Sequence, residues 1–86
     1  MRSLGFIGCK LKSLRNLVPM KNLRELNLQE NQIKDDSLEI LKEFTGLKYL
    51  YLAGNKIERF ESLSFIKDLN QLRVLDLVEC PLCKDD

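Results

Sequence analysis

Three cysteines, thirteen acidic residues and no histidine set the limits on what chemistry this 86-residue chain can do. Cys80 and Cys83 form a C-x-x-C pair, the spacing of a zinc half-site or a redox dithiol. A zinc site of that kind needs a second ligand pair, and Cys9 alone cannot supply one. Cys80 is instead expected to be a buried structural residue with Cys83 merely following it, and no metal or cofactor is expected. Nucleophilic catalysis of the Ser-His-Asp or Cys-His type is excluded by the missing histidine. Asp35, Asp36 and Glu39 are acidic neighbours, but they suit the start of a capped helix. Glu58, Glu61 and Asp68 suit a solvated surface. Neither the G-x-x-x-x-G-K-S/T nor the G-x-G-x-x-G phosphate loop is present. The chain is read as a non-enzyme.

The informative polar residues are of another kind. Asn31 and Asn55 each stand at the ninth position of a recurring stretch, LRELNLQENQI from Leu23 and LKYLYLAGNKI from Leu47. LRVLDLVECPL from Leu72 places Cys80 there, and the looser MRSLGFIGCKL from Met1 places Cys9 there. All four stretches fit the template L-x-x-L-x-L-x-x-N/C-x-L. Their first positions, Met1, Leu23, Leu47 and Leu72, lie 22, 24 and 25 residues apart, within the period of leucine-rich repeats. Cys9, Asn31, Asn55 and Cys80 are expected to form a structural ladder that satisfies backbone groups where each strand turns. Asn has a donor and an acceptor for that task, whereas Cys offers only a weak donor.

The elements that must hold this ladder follow from spacing. Leu4 and Phe6, Leu26 and Leu28, Leu50 and Leu52, and Leu75 and Leu77 are pairs two apart, so each pair shares one face of a strand. Leu11, Ile33, Ile57 and Leu82 then fold back into the core. One copy cannot bury its apolar face alone, but a stack of them makes a continuous core. The expected fold is an α/β leucine-rich repeat solenoid of about four repeats. Its parallel sheet is concave, and its convex side is helical or 3₁₀. Ser13 to Met20, with apolar residues every third position and Pro19, suits a 3₁₀ turn. Asp36-Ser-Leu-Glu39 reads as a capping box opening a helix from about Ser37 to Phe44, with Gly46 as a left-handed C-cap. Ser62 is the expected N-cap of a helix or 3₁₀ segment over about Leu63 to Leu69, with Asn70 as its stop.

Composition narrows the partners. Hydrophobic residues make up 44% and charged residues 31%, which excludes bulk disorder and a membrane span. A formal charge of +1, without a basic block, predicts no direct binding to nucleic acid or membrane. The apolar run near Leu4 is shorter than the roughly 7–15 residues of a signal core. An odd number of cysteines argues against a disulfide framework and for a reducing compartment, cytosol or nucleus. The third, fifth, seventh and eighth positions of each copy should face the concave side. They are Ser3, Gly5, Ile7 and Gly8, then Glu25, Asn27, Gln29 and Glu30, then Tyr49, Tyr51, Ala53 and Gly54, then Val74, Asp76, Val78 and Glu79. No lysine or arginine is among them, while Lys10, Lys12, Arg15, Arg24, Lys48 and Arg73 fall elsewhere. Glu25, Asn27, Gln29, Glu30, Tyr49, Tyr51, Val74, Asp76, Val78 and Glu79 are therefore the candidate partner-binding residues. Acids beside tyrosines suit a basic protein partner.

Residues 4 to 84 resemble the acidic leucine-rich nuclear phosphoprotein (pp32-type) family. The likeness rests on LRELNLQENQIKDDSLEILKE, LKYLYLAGNKIE and LRVLDLVEC. Ala53-Gly-Asn-Lys-Ile57 is close to that family's S-G-N-K-I, and Asp76-Leu-Val-Glu-Cys80 is close to its D-L-F-N-C. The resemblance implies a nuclear or cytoplasmic interaction scaffold that binds histones or chromatin, inhibits a protein phosphatase, or both. Glu30 stands where the family has Asp, and Tyr49, Tyr51 and Val74 replace smaller or polar residues. Residues 1–86 are expected to be a single repeat domain without the family's N-terminal cap, C-terminal cap and acidic tail, and its uncapped edge strands are expected to allow weak self-association. The alternative is a leucine-rich regulatory subunit of a protein phosphatase, or a scaffold like the spliceosomal A-prime subunit.

Overall fold

The computed structural model describes residues 2–14, 17–18 and 20–81. Four three-residue runs, each with a leucine at its centre, form four strands: β1 (Ser3–Gly5), β2 (Glu25–Asn27), β3 (Tyr49–Tyr51) and β4 (Val74–Asp76). They pair in parallel in the order β1-β2-β3-β4. Register is constant. Leu4, Leu26, Leu50 and Leu75 stand side by side, each one residue into its strand. Parallel pairing demands a long crossover between strands, and the rest of each repeat supplies it. This is the leucine-rich repeat solenoid that the spacing predicts.

The core lies under one face of the sheet. Leu23, Leu26, Leu28 and Ile33 from the second copy, and Leu47, Leu50, Leu52 and Ile57 from the third, are all 0% exposed. Leu4, Phe6 and Leu11 at one end, and Leu72, Leu75 and Leu77 at the other, are only partly buried against that core. The gradient follows from stacking, because an inner copy is covered on both sides and an outer one on a single side.

The crossover segments differ from the sequence reading in three places. Between Ile33 and Leu47 the chain makes a 3₁₀ turn at Asp35–Ser37 followed by a four-residue helix, α1 (Leu38–Leu41), rather than a helix over Ser37 to Phe44. Its apolar stripe of Leu38, Leu41 and Phe44 is fully buried as the pattern required. Spacing of three is met equally by consecutive three-residue turns, and here Phe44 N–H bonds the Leu41 carbonyl (3.0 Å) and Leu47 N–H the Phe44 carbonyl (3.1 Å). The capping box does not form. Lys34 and Ser37 precede the two segments, neither makes a side-chain cap, and Glu39 pairs instead with Lys42 at 3.8 Å.

Gly46 is not a left-handed cap, since the positive-φ glycines are Gly8 and Gly54. It is glycine because a Cβ there would collide with the Lys21 carbonyl and the Arg24 guanidinium. The third difference is the segment after Ile57. A 3₁₀ helix runs over Phe60–Phe65, with Arg59 before it and Ser62 inside it, so Ser62 is not the N-cap and the helix neither starts at Leu63 nor reaches Leu69. Asn70 lies beyond its end in a turn. In the Ser13–Met20 segment, Leu17 N–H bonds the Leu14 carbonyl at 3.0 Å, the three-residue spacing of a 3₁₀ turn. Arg15, Asn16 and Pro19 lie outside the described residues, as do Leu82 and Cys83 of the C-terminal stretch. Among the described residues no helix is long and apolar enough to cross a membrane.

Candidate protein-interaction face

Each strand offers its odd positions to the side away from the core, and constant register turns those positions into rows. One row is Ser3, Glu25, Tyr49 and Val74; the next is Gly5, Asn27, Tyr51 and Asp76. Pairing continues past the strands. Gly8 N–H bonds the Gln29 carbonyl (3.0 Å), Glu30 N–H that of Ala53 (2.8 Å) and Gly54 N–H that of Val78 (2.9 Å). Ile7, Gln29, Ala53 and Val78 thus form a third row. Neighbouring strands lie about 4.8 Å apart, so Tyr49 and Tyr51 have Glu25 and Asn27 on one side and Val74 and Asp76 on the other.

The eighth position behaves differently. Glu30 (φ 59°) and Glu79 (φ 66°) adopt the left-handed conformation, as do Gly8 (φ 67°) and Gly54 (φ 75°). These residues sit on the turn after each strand rather than in a row. A Cβ on Gly54 would meet the Glu30 carboxylate, so that side chain reaches over onto the next copy. Val74, Val78, Glu30 and Glu79 are exposed, while Glu25, Asn27, Gln29, Tyr49, Tyr51 and Asp76 are half-buried.

Two side chains on the face are held by local bonds. Asn27 Oδ1 accepts the Gln29 N–H at 3.2 Å, and Asp76 Oδ1 accepts the Val78 N–H at 3.1 Å. Among the described residues the sole ion pair is Lys42–Glu39, so Glu25, Glu30, Asp76 and Glu79 have no cation partner. Arg24, next in sequence to Glu25, does not neutralise it: its Nη1 donates to the carbonyls of Gly46 (3.2 Å) and Lys21 (3.3 Å).

The ninth-position residues stand behind the strand ends. Asn31 is buried; its Oδ1 accepts N–H groups of Cys9 and Leu11, both at 3.0 Å. Its amide donates to the carbonyls of Phe6 (2.7 Å) and Leu28 (2.9 Å). Asn55 repeats the pattern one copy on, accepting from Ile33 N–H (3.0 Å) and donating to Leu28 (2.8 Å) and Leu52 (2.9 Å). Cys80 is buried and its thiol donates to the Leu52 carbonyl at 3.1 Å. Cys9 is exposed, with its thiol 3.7 Å from the Ile7 carbonyl. Among the described residues no group of side chains could hold a metal ion.

Asp35, expected only to belong to a capped helix start, has a different role. Its carboxylate accepts the N–H groups of Glu58 (3.0 Å) and Arg59 (2.9 Å) and the Ser62 hydroxyl. Burial works to raise its pKa, but the bonds from Ser62, Arg59 and Glu58 outweigh it and hold the carboxyl below its usual value. The clamp joins the second copy to the third across 23 to 27 residues of sequence. A faint signal existed in retrospect: an acid placed two residues after the eleventh position, and a serine in the segment beyond the next copy.

Comparison with known proteins agrees with this geometry. The family model described as Leucine rich repeat matches residues 20–82. The chain is 36% identical over 77 residues to the acidic leucine-rich nuclear phosphoprotein 32 family member A of Drosophila pseudoobscura pseudoobscura, and equally to that of Drosophila melanogaster. Each alignment covers 90% of this chain and 29% of the relative, so the chain spans under a third of the length of the curated relatives it matches. With its strands in constant register and its asparagines bridging successive copies, the chain belongs to the leucine-rich repeat family, and its repeats are similar to those of the acidic leucine-rich nuclear phosphoproteins.

Proposed function

We propose that this chain is a non-enzymatic interaction scaffold, working in the nucleus, whose uncovered sheet face docks a protein partner, either a basic, histone-like one or a phosphatase. The observation that carries this reading is the pair of rows in which Tyr49 stands beside Glu25 and Tyr51 between Asn27 and Asp76, with no lysine or arginine in either row and no cation paired to either acid among the described residues. Half-buried tyrosines supply rigid contact area at a docking centre, and carboxylates set orientation and association rate. The nuclear setting and the histone or phosphatase class are drawn from the similarity to nuclear phosphoproteins.

The test is titration of the purified chain with core histones and, separately, with a phosphatase catalytic subunit. Tyr51→Ala should weaken binding by about 1–2 kcal/mol, a hot-spot loss. Asp76→Lys should mainly slow association and flatten its salt dependence. If both variants fold and bind as tightly as the unmodified chain, the face is not the docking site.

A further inference from the structure

We propose that the open face takes an arginine side chain of its partner, with the guanidinium plane on the Tyr51 ring and its N–H fork on the Asp76 carboxylate. The inference rests on the docking-face reading above and adds which residue of the partner anchors it. Tyr51 and Asp76 are register partners on adjacent strands, about 4.8 Å apart along the sheet. Asp76 is already oriented, because its Oδ1 accepts the Val78 N–H at 3.1 Å. Its Oδ2 has no hydrogen-bond or ion-pair partner among the described residues.

The site also lacks a cation of its own. Across Tyr51 on the other strand stands neutral Asn27. Arg24, three residues before Asn27, is committed to the Gly46 and Lys21 carbonyls, and among the described residues Arg73, three residues before Asp76, makes no ion pair with it. Exposed Val74 and Val78 lie two residues to either side of Asp76, at the start of β4 and just past its end; they offer apolar surface for the methylene stem of a long cationic side chain. Arginine fits better than lysine. Its planar guanidinium can stack on an aromatic ring and present two N–H groups edge-on to a carboxylate, whereas a compact ammonium cannot do both at once.

The experiment uses the whole chain and two unstructured glycine-serine peptides of equal length and charge, one carrying arginines and the other lysines. Affinities are read by fluorescence anisotropy. The arginine peptide should bind at least about tenfold more tightly, the difference expected of a stacked, partly desolvated cation. Tyr51→Leu should close that gap while circular dichroism and Tm show an intact fold. Tyr51→Phe, which keeps the ring, should preserve it. Asp76→Asn should reduce the preference for arginine. Equal binding of the two peptides overturns the arginine site and leaves the docking face standing. A gap that survives Tyr51→Leu, or that Asp76→Asn leaves undiminished, overturns it in the same way. If neither peptide binds, the arginine site is overturned, and the docking face stands or falls by the histone and phosphatase titrations.

Discussion

Asn31 makes four strong backbone bonds from one side chain, two as acceptor and two as donor. Its own copy holds only one of those four partners; the other three belong to the copy before it. Asn31→Ala leaves the part-buried N–H groups of Cys9 and Leu11 without acceptors and removes the buried bond to the Leu28 carbonyl, which should cost about 1–3 kcal/mol. The measurement is the denaturation midpoint, and an unchanged midpoint would show that water replaces the side chain. The glycines divide by backbone conformation. Gly54 has φ 75°, so Gly54→Ala should destabilise by about 1–2 kcal/mol. A Cβ on Gly5 would meet only Asn27 Cβ at 3.9 Å, an ordinary contact. Gly5→Ala should therefore stabilise by roughly 0.4–1 kcal/mol, mainly by restricting the unfolded chain. Thermal melts of the two variants should shift in opposite directions.

At the level of elements, the Asp35 clamp governs how the 3₁₀ helix Phe60–Phe65 is seated. Replacing Asp35 by Asn removes a charged acceptor, and loss of bonds to a charged group is worth about 1.5–3 kcal/mol. The sign of the pH dependence follows from the lowered pKa. The unfolded chain binds the proton more readily, so the carboxylate's contribution is complete above the unfolded pKa and is lost as pH falls through the folded one. Denaturant midpoints of the unmodified chain and Asp35→Asn should differ most near neutral pH and draw together as pH falls below the ordinary carboxylate range. This clamp also explains what the sequence did and did not reveal. The strands were legible because every determinant is local: leucines two apart, an Asn or Cys five residues after the fourth-position residue, and a repeat that states the pattern several times. The segment after Ile33 was misread because D-S-L-E satisfies a local capping rule, while the carboxylate that matters is one residue earlier and its partners are in the next copy. Likewise, nothing in the types Glu30 and Glu79 announces a left-handed backbone. That conformation shows only when the eighth positions are aligned with Gly8 and Gly54. Of the candidate face, the row membership of Glu25, Tyr49 and Asp76 was readable from alternation, but the placement of Glu30 and Glu79 on turns was not.

Across the whole molecule, stability should follow position in the stack. The inner copies hold fully buried leucines on every core position, and the outer ones are covered on one side. Hydrogen exchange should accordingly be slowest at Leu26, Leu28, Leu50 and Leu52 and faster at Leu4 and Leu75, in the graded manner of a linear array. A uniform exchange profile would mean that the chain opens in one step. The constant register has a further consequence. Because no strand is offset from the next, one repeat's backbone is a template for any other. Lengthening such a molecule by a whole unit changes neither pitch nor pairing and widens the sheet by about 4.8 Å. Evolution or an engineer can therefore slide the tyrosine strand along the array like a bead on a wire, setting how far its aromatic pair stands from each end while every joint stays the same.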